Sequence, residues 1–199
     1  MLPEDALLLF VDQQTGHAVA DRVVVENVLA GAMLIELVHT GRLAYSGQLS
    51  VADATPPPHP FEEAVARLRP PLSPRRGVQR IRNHVRDNVM TGLQARGVLT
   101  ARNQVFGGFV IGDHAAVNDV RTAVGSVLFG HRPPDARSGA LISLLHAVKR
   151  VHKVFGGERH ELAARAKVIA DGHSPAVVAV HDAVAAEVVL AETKVGFLR

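Results

Sequence analysis

Apolar positions along the chain recur mainly at intervals of three and four, the repeat of a helix that buries one face. Val78, Ile81, Val85, Val89 and Leu93 are the clearest case and predict an amphipathic helix that ends at Gly97. From Val23 to His39 the apolar residues Val24, Val28, Leu29, Ala32, Ile35 and Leu37 are too dense for a thin stripe, which predicts a largely buried helix stopped by Gly41. Ahead of it, Pro3, Glu4 and Asp5 precede the apolar run to Phe10, a short helix start leading into a buried segment, and Asp12 to Gly16 reads as a turn. Four further helical stretches follow late in the chain: Val117 to Phe129, Ser138 to Phe155, Glu158 to Ala170 and Pro175 to Lys194. Gly130, Pro133, Pro134, Gly156, Gly157 and Gly172 separate them.

Two segments break this rhythm. Residues 52 to 76 hold seven prolines around one short amphipathic piece, Phe61 to Leu68, and predict a surface excursion. Neither flank alone has a pattern able to close a core, so the excursion is no domain boundary. Between residues 102 and 113 the run Val105-Phe106-Gly107-Gly108-Phe109-Val110-Ile111 places β-favouring arms on either side of a Gly-Gly pair, which predicts a hairpin tipped by two phenylalanines. The expected fold is therefore mainly α, a helical bundle with one β-hairpin, in a single domain over residues 1–199.

Composition narrows the chemistry. With 47% hydrophobic residues in 199, one continuous core is affordable and a second is not required. Cysteine is absent, which removes disulfides, thiolate-bound zinc and cysteine nucleophiles and points to an intracellular setting. No apolar run reaches the ~18 residues of a spanning helix, and no secretion signal opens the chain. The net charge is only +3, but the arginines cluster. Arg67, Arg69, Arg75, Arg76, Arg80, Arg82 and Arg86 come with no acid before Asp87, and predict a positive surface facing an acidic partner, with phosphate the first candidate.

On a helix Arg82 and Arg86 stand one turn apart with Asn83 beside them, a spacing that lets two guanidiniums grip one phosphate through charge-assisted hydrogen bonds. A solvated arginine face that supports solubility is the competing reading of the same spacing. The two rings of the Phe106-Gly107-Gly108-Phe109 tip demand burial in core, partner or bilayer. Paired with a basic patch, such a tip supplies the second weak signal that peripheral membrane binding requires. The eleven histidines lack zinc-ligand spacing, so no metal is assigned. Phosphate-loop, dinucleotide and nucleophile-elbow motifs are missing, Glu36, Glu62 and Glu63 have no partner pattern, and no catalytic residue or cofactor is assigned. Seven arginines ahead of a hairpin also fit a winged helix, but aromatics at 4% and no tryptophan argue against a nucleic-acid partner.

Glu4-Asp5-Ala6-Leu7-Leu8-Leu9, then Gly31-Ala32-Met33-Leu34-Ile35-Glu36-Leu37 and Gly41-Arg42-Leu43, resemble the start of Golgi phosphoprotein 3 domains. Arg82-Asn83-His84-Val85-Arg86-Asp87-Asn88-Val89, leading to Leu93 and Gly97-Val98-Leu99-Thr100, is similar to the family's arginine helix. Asp135, Arg137 and Ala140-Leu141-Ile142-Ser143-Leu144-Leu145-His146-Ala147 resemble its late core helix. The likeness covers nearly the whole chain, and the Ala-, Val- and Arg-rich composition without an N-terminal extension is closer to the family's bacterial branch.

The resemblance implies core helices ringed by amphipathic helices and loops, a pocket for phosphatidylinositol 4-phosphate, and a hydrophobic hairpin for membrane association and self-association. Arg86 matches one pocket arginine, and Asn83 takes the place of another with Arg82 adjacent. Phe106 and Phe109 match the hairpin tip, with Gly107 and Gly108 between them. Asp21 and Ala30 stand where the family has a pocket tryptophan and a further arginine, with Arg22 as a partial substitute, so the preferred headgroup is open. The expected function is that of a cytoplasmic, non-catalytic protein bound peripherally to membranes through an anionic phospholipid headgroup. The alternative is an interaction module whose hairpin docks on another subunit, giving a homo-oligomer, and whose arginine face reads acidic peptides such as membrane-protein tails.

Overall fold

A computed structural model describes residues 1–52, 61–102 and 108–196 of the chain. Helix α1 (Leu2–Leu9) carries Pro3 in its first turn, where the missing N–H interrupts no helical bond, and every one of its residues is buried. Its two acids are compensated from other elements: Arg96 reaches Glu4 at 2.8 Å, and Arg137 donates from Nε to Asp5. Helix α2 (Arg22–His39) is buried from Val24 through Ile35, as the dense apolar pattern predicts, and forms the centre of the molecule. Gly31 explains how close its neighbours come. A Cβ there would stand 2.7 Å from Val184 and 2.9 Å from Leu144, so only hydrogen fits. Gly41, at φ +70, ends the helix region.

Strands β1 (Leu43–Tyr45) and β2 (Leu49–Val51) pair antiparallel, a hairpin that no apolar period announces because each arm has three residues. Helix α3 (Phe61–Arg67) matches the predicted amphipathic piece. Residues 53–60 of the Pro-rich stretch lie outside the described residues, and its remainder is less superficial than expected. Ala64, Val65, Leu68 and Leu72 are buried, and Leu72 exchanges backbone hydrogen bonds with Leu49 at 2.8 and 3.0 Å. Helix α4 (Pro74–Ala95) begins within that stretch, capped by the Ser73 side chain on the Arg76 N–H. It buries the predicted stripe of Val78, Ile81, Val85, Val89 and Leu93.

Strands β3 (Leu99–Ala101) and β4 (Phe109–Ile111) form the second antiparallel hairpin. The strand paired with Phe109–Ile111 is therefore Leu99–Ala101, earlier in the chain than the predicted arm at Val105. Phe106 and Gly107 lie outside the described residues. Helices α5 (His114–Leu128), α6 (Ala136–Ala147), α7 (Val151–Phe155), α8 (Arg159–Asp171) and α9 (Pro175–Gly196) complete a mainly α fold. The single helix expected over 138–155 is two. Lys149 turns left-handed at φ 55, and the N–H groups of Lys149 and Arg150 cap the carbonyls of His146 and Leu145. Helix α2 packs against α1, α4, α6 and α9, so one hydrophobic cluster runs through the described residues.

Candidate functional site

Helix α4 presents Arg75, Gln79, Arg82 and Arg86 at spacings of four, three and four, which sets all four on one stripe beside its buried face. Helix α9 delivers Glu187 against the first three. Arg75 Nε and Gln79 Nε2 donate to Oε1 at 2.7 Å each, and Arg82 Nη1 donates to Oε2 at 3.3 Å. The Glu187 side chain is 6% exposed. Burial pushes its carboxyl up, but the hydrogen bonds from Arg75 and Gln79, with the charges of Arg75 and Arg82, outweigh burial and hold it below the usual carboxylate range. Arg82 is thus bound to an internal carboxylate.

Arg86 is the stripe's next member and escapes that carboxylate. Its described ion pair is with the neighbouring Asp87, at 3.5 Å, and Asp87 is itself exposed. Arg22, at the start of α2, is 72% exposed and donates from Nε to Glu26 Oε1 at 2.6 Å. The Glu26 hydrogen bond and then the Glu26 charge hold Arg22 above the ordinary arginine range, with a further contribution from Asp87. Asp87 thus pairs with Arg86 and its charge also acts on Arg22, on two helices that pack against each other. Asn83 lies one position off the stripe, exposed on the outer face with Arg76 and Arg80.

Two other arginines of the cluster fasten α3 instead. Arg67 pairs with Glu63 at 2.9 Å, and Asn88 donates to the other oxygen of Glu63 at 3.3 Å. Arg80 donates to the Arg69 carbonyl at 3.0 Å, holding the turn before α4. The positions expected to weaken a phosphate pocket differ in kind. Asp21 is exposed at the N-cap of α2, where its charge faces solvent next to Arg22, whereas Ala30 is 0% exposed in the core.

The hairpin tip requires a correction. Phe109 is 7% exposed and belongs to the core cluster, because β4 is clamped against the turn at Asp12 to Gly16. The Phe109 N–H donates to the Gly16 carbonyl at 2.6 Å, and a Cβ on Gly16 would meet the Phe109 carbonyl oxygen at 2.2 Å. Gly16 sits at φ +70 and alone permits this approach. Gly108 continues the contact. Of the described strand β4, the apolar side chain facing solvent is Val110, 48% exposed.

Arg75, Arg82 and Arg86 all belong to the arginine run legible in the sequence, whereas the contact of Arg75, Gln79 and Arg82 with Glu187 is not. The 75-79-82-86 spacing carried the signal for Arg75 and Gln79. Nothing local could point to a carboxylate 105 residues away. Among the described residues no group of three or more His, Asp or Glu is placed to hold a metal, and no helix is long and apolar enough to cross a membrane.

No curated protein matches the chain. The model of the family described as Golgi phosphoprotein 3 (GPP34) matches residues 2–187, a span that takes in α1, the buried α2, the arginine stripe of α4 and Glu187 on α9. With that match extending over most of its length, and with the mainly helical fold in agreement, the chain belongs to the Golgi phosphoprotein 3 family.

Proposed function

We propose that this protein is a non-catalytic peripheral membrane protein that binds an anionic phospholipid headgroup at the junction of α4 and α2. The observation that carries the reading is the stripe on α4. Its first three members already bind an oxyanion, the Glu187 carboxylate, through three hydrogen bonds. Its fourth, Arg86, lies one turn beyond Arg82 and clear of that carboxylate, and Arg22 begins the helix α2 that packs against α4. A headgroup phosphate would accept from Arg86 and Arg22 and displace Asp87 from Arg86. Arg82 serves chiefly to seat α9 and adds charge from behind. Asn83 contributes a neutral amide at the rim.

The acids at this junction temper the affinity. Asp21, Glu26 and Asp87 stand near the same cations, so the site favours a multiply charged phosphate over a single diester charge. Each charge-assisted hydrogen bond is worth roughly 1.5–3 kcal/mol, so one from each arginine supplies about 3–6 kcal/mol, a millimolar to tens-of-micromolar contribution to binding on a membrane. Phosphatidylinositol 4-phosphate fits the class by family resemblance, and other anionic headgroups compete for it. With Phe109 in the core, Val110 is the exposed apolar residue of strand β4.

Sedimentation with vesicles tests the reading. Neutral phosphatidylcholine vesicles should leave the protein in the supernatant, vesicles with added phosphatidylinositol 4-phosphate or phosphatidylserine should carry it down, and salt should release it. Equal sedimentation with neutral and anionic vesicles would remove the headgroup from the account.

A further inference from the structure

A second basic site lies away from the arginine stripe. The end of α6, helix α7 and the start of α8 line an open cavity of about 420 Å³, with His146, Lys149, His152, Arg159 and His160 on its walls. No carboxylate is among its described lining residues. We propose that this cavity binds a phosphomonoester, a terminal phosphate on a compact organic body, with Lys149 and Arg159 as its fixed charges.

Charge is the first argument. Neither Lys149 nor Arg159 forms an ion pair among the described residues, and the acids at the start of α8 have other partners. Glu158, at the N-cap of α8, accepts from the Glu161 N–H at 2.8 Å and acts on His160 from there, while Glu161 pairs with Arg165 at 2.9 Å. His152 senses the resulting field: burial, then Arg159, Lys153 and Arg150, hold it below the ordinary histidine range. His146 is lowered by burial, then by His181 and Lys167, with Asp171 opposing. Behind it His181 is anchored by Asp182 at 2.9 Å, and the two imidazoles meet at 3.1 Å. Arg150 is drawn off toward Glu192 at 3.8 Å.

Backbone conformation is the second. Lys149 is the one non-glycine residue with positive φ among the described residues. Glycine would take that turn without strain, yet the chain places there a long cation that lines the cavity. The third argument is shape. A cavity of this size exceeds a bare phosphate, and Val151 and Ala163 supply apolar wall for an organic body. Two permanent charges suit a phosphate dianion better than a carboxylate. Three imidazoles here do not make a metal centre, because no described group of three has ligand geometry.

The test follows the histidine Cε1–H resonances of the full chain, assigned with His146→Asn and His152→Asn. Glycerol 3-phosphate at millimolar concentration should shift both, and glycerol neither. The variant Lys149→Gly/Arg159→Gln should weaken that binding about tenfold or more. It removes exposed charge only, and glycine relieves the positive φ, so the fold is retained. Arg22→Ala/Arg86→Ala should bind glycerol 3-phosphate as the wild type does, which separates this site from the α4 junction whatever happens there. Phosphatidic acid vesicles then identify the source. Sedimentation lost in Lys149→Gly/Arg159→Gln assigns a lipid phosphate, and sedimentation unchanged beside lost glycerol 3-phosphate binding assigns a soluble one. Absence of any shift, or equal affinity in the Lys149→Gly/Arg159→Gln variant, overturns the proposal.

Discussion

Arg82 Nη1 stands 3.3 Å from Glu187 Oε2, so the guanidinium that a reading of α4 alone assigns to an external phosphate holds the last long helix of the fold in place. The contact joins two residues 105 positions apart, and it shares its carboxylate with Arg75 and Gln79. The proposed anion binding at Arg86 and the docking of α9 would therefore draw on the same stripe.

Replacing Glu187 separates these two roles. Glu187→Ala should destabilise the protein by about 1–3 kcal/mol, measured by urea unfolding, since three donors lose their acceptor while Arg75 and Arg82 keep partial access to water. The same substitution should raise affinity for anionic vesicles, because two guanidiniums become free to take phosphate. A variant that loses stability without gaining vesicle affinity would confine Arg75 and Arg82 to structure.

The depressed Glu187 carboxyl has a pH signature. Its folded pKa lies below its unfolded value, so its contribution to stability is complete above about pH 4.3 and declines as pH falls through the folded value. Asp135, at the N-cap of α6, behaves alike: burial pushes it up, and hydrogen bonds from Ser138 and Arg137 with the charge of Arg132 bring it lower overall. Acid titration of Glu187→Gln should show a shallower loss of stability across this window than the wild type. Parallel curves would mean that Glu187 does not titrate with folding.

Strand β4 offers a contrast between adjacent side chains. Phe109→Ala should cost roughly 3–5 kcal/mol, because a buried ring is removed from the core. Val110→Ser, at an exposed position, should stay within about 0.5 kcal/mol. Thermal and urea unfolding of the pair check this, and a harmless Phe109→Ala would contradict the inward placement of the ring.

Gly31 tests the centre of the bundle. Alanine gains up to about 1 kcal/mol of helix propensity, but its Cβ would press on Val184 and Leu144, and overpacking costs roughly 1–3 kcal/mol. Gly31→Ala should therefore lower the melting temperature, whereas relief without loss would show that α9 and α6 shift aside freely.

The sequence made legible those features that repeat locally. The buried α2 and the amphipathic α4 follow from spacing, and Gly41 and Gly97 mark their ends through positive φ. Strands β1 and β2 escaped because three residues carry no period, and their partner Leu72 lies among prolines that read as surface. The break at Lys149 escaped because no glycine or proline stands there. Phe109 went inward because Gly16, far off in sequence, gives its backbone a seat. Arg82, Arg86 and Arg22 were legible as cations. Which of them is committed depends on Glu187, a tertiary contact that spacing does not encode.

The central claim is that Arg86 and Arg22, rather than the Glu187-bound part of the stripe, receive the headgroup. Vesicle affinity of Arg22→Ala/Arg86→Ala measures this most directly, at matched salt and with melting temperature monitored. About tenfold or greater weakening is expected on phosphatidylinositol 4-phosphate vesicles, with the stability loss confined to what the 7%-exposed Glu26 suffers without its Arg22 partner. Affinity equal to that of the wild type would contradict the claim.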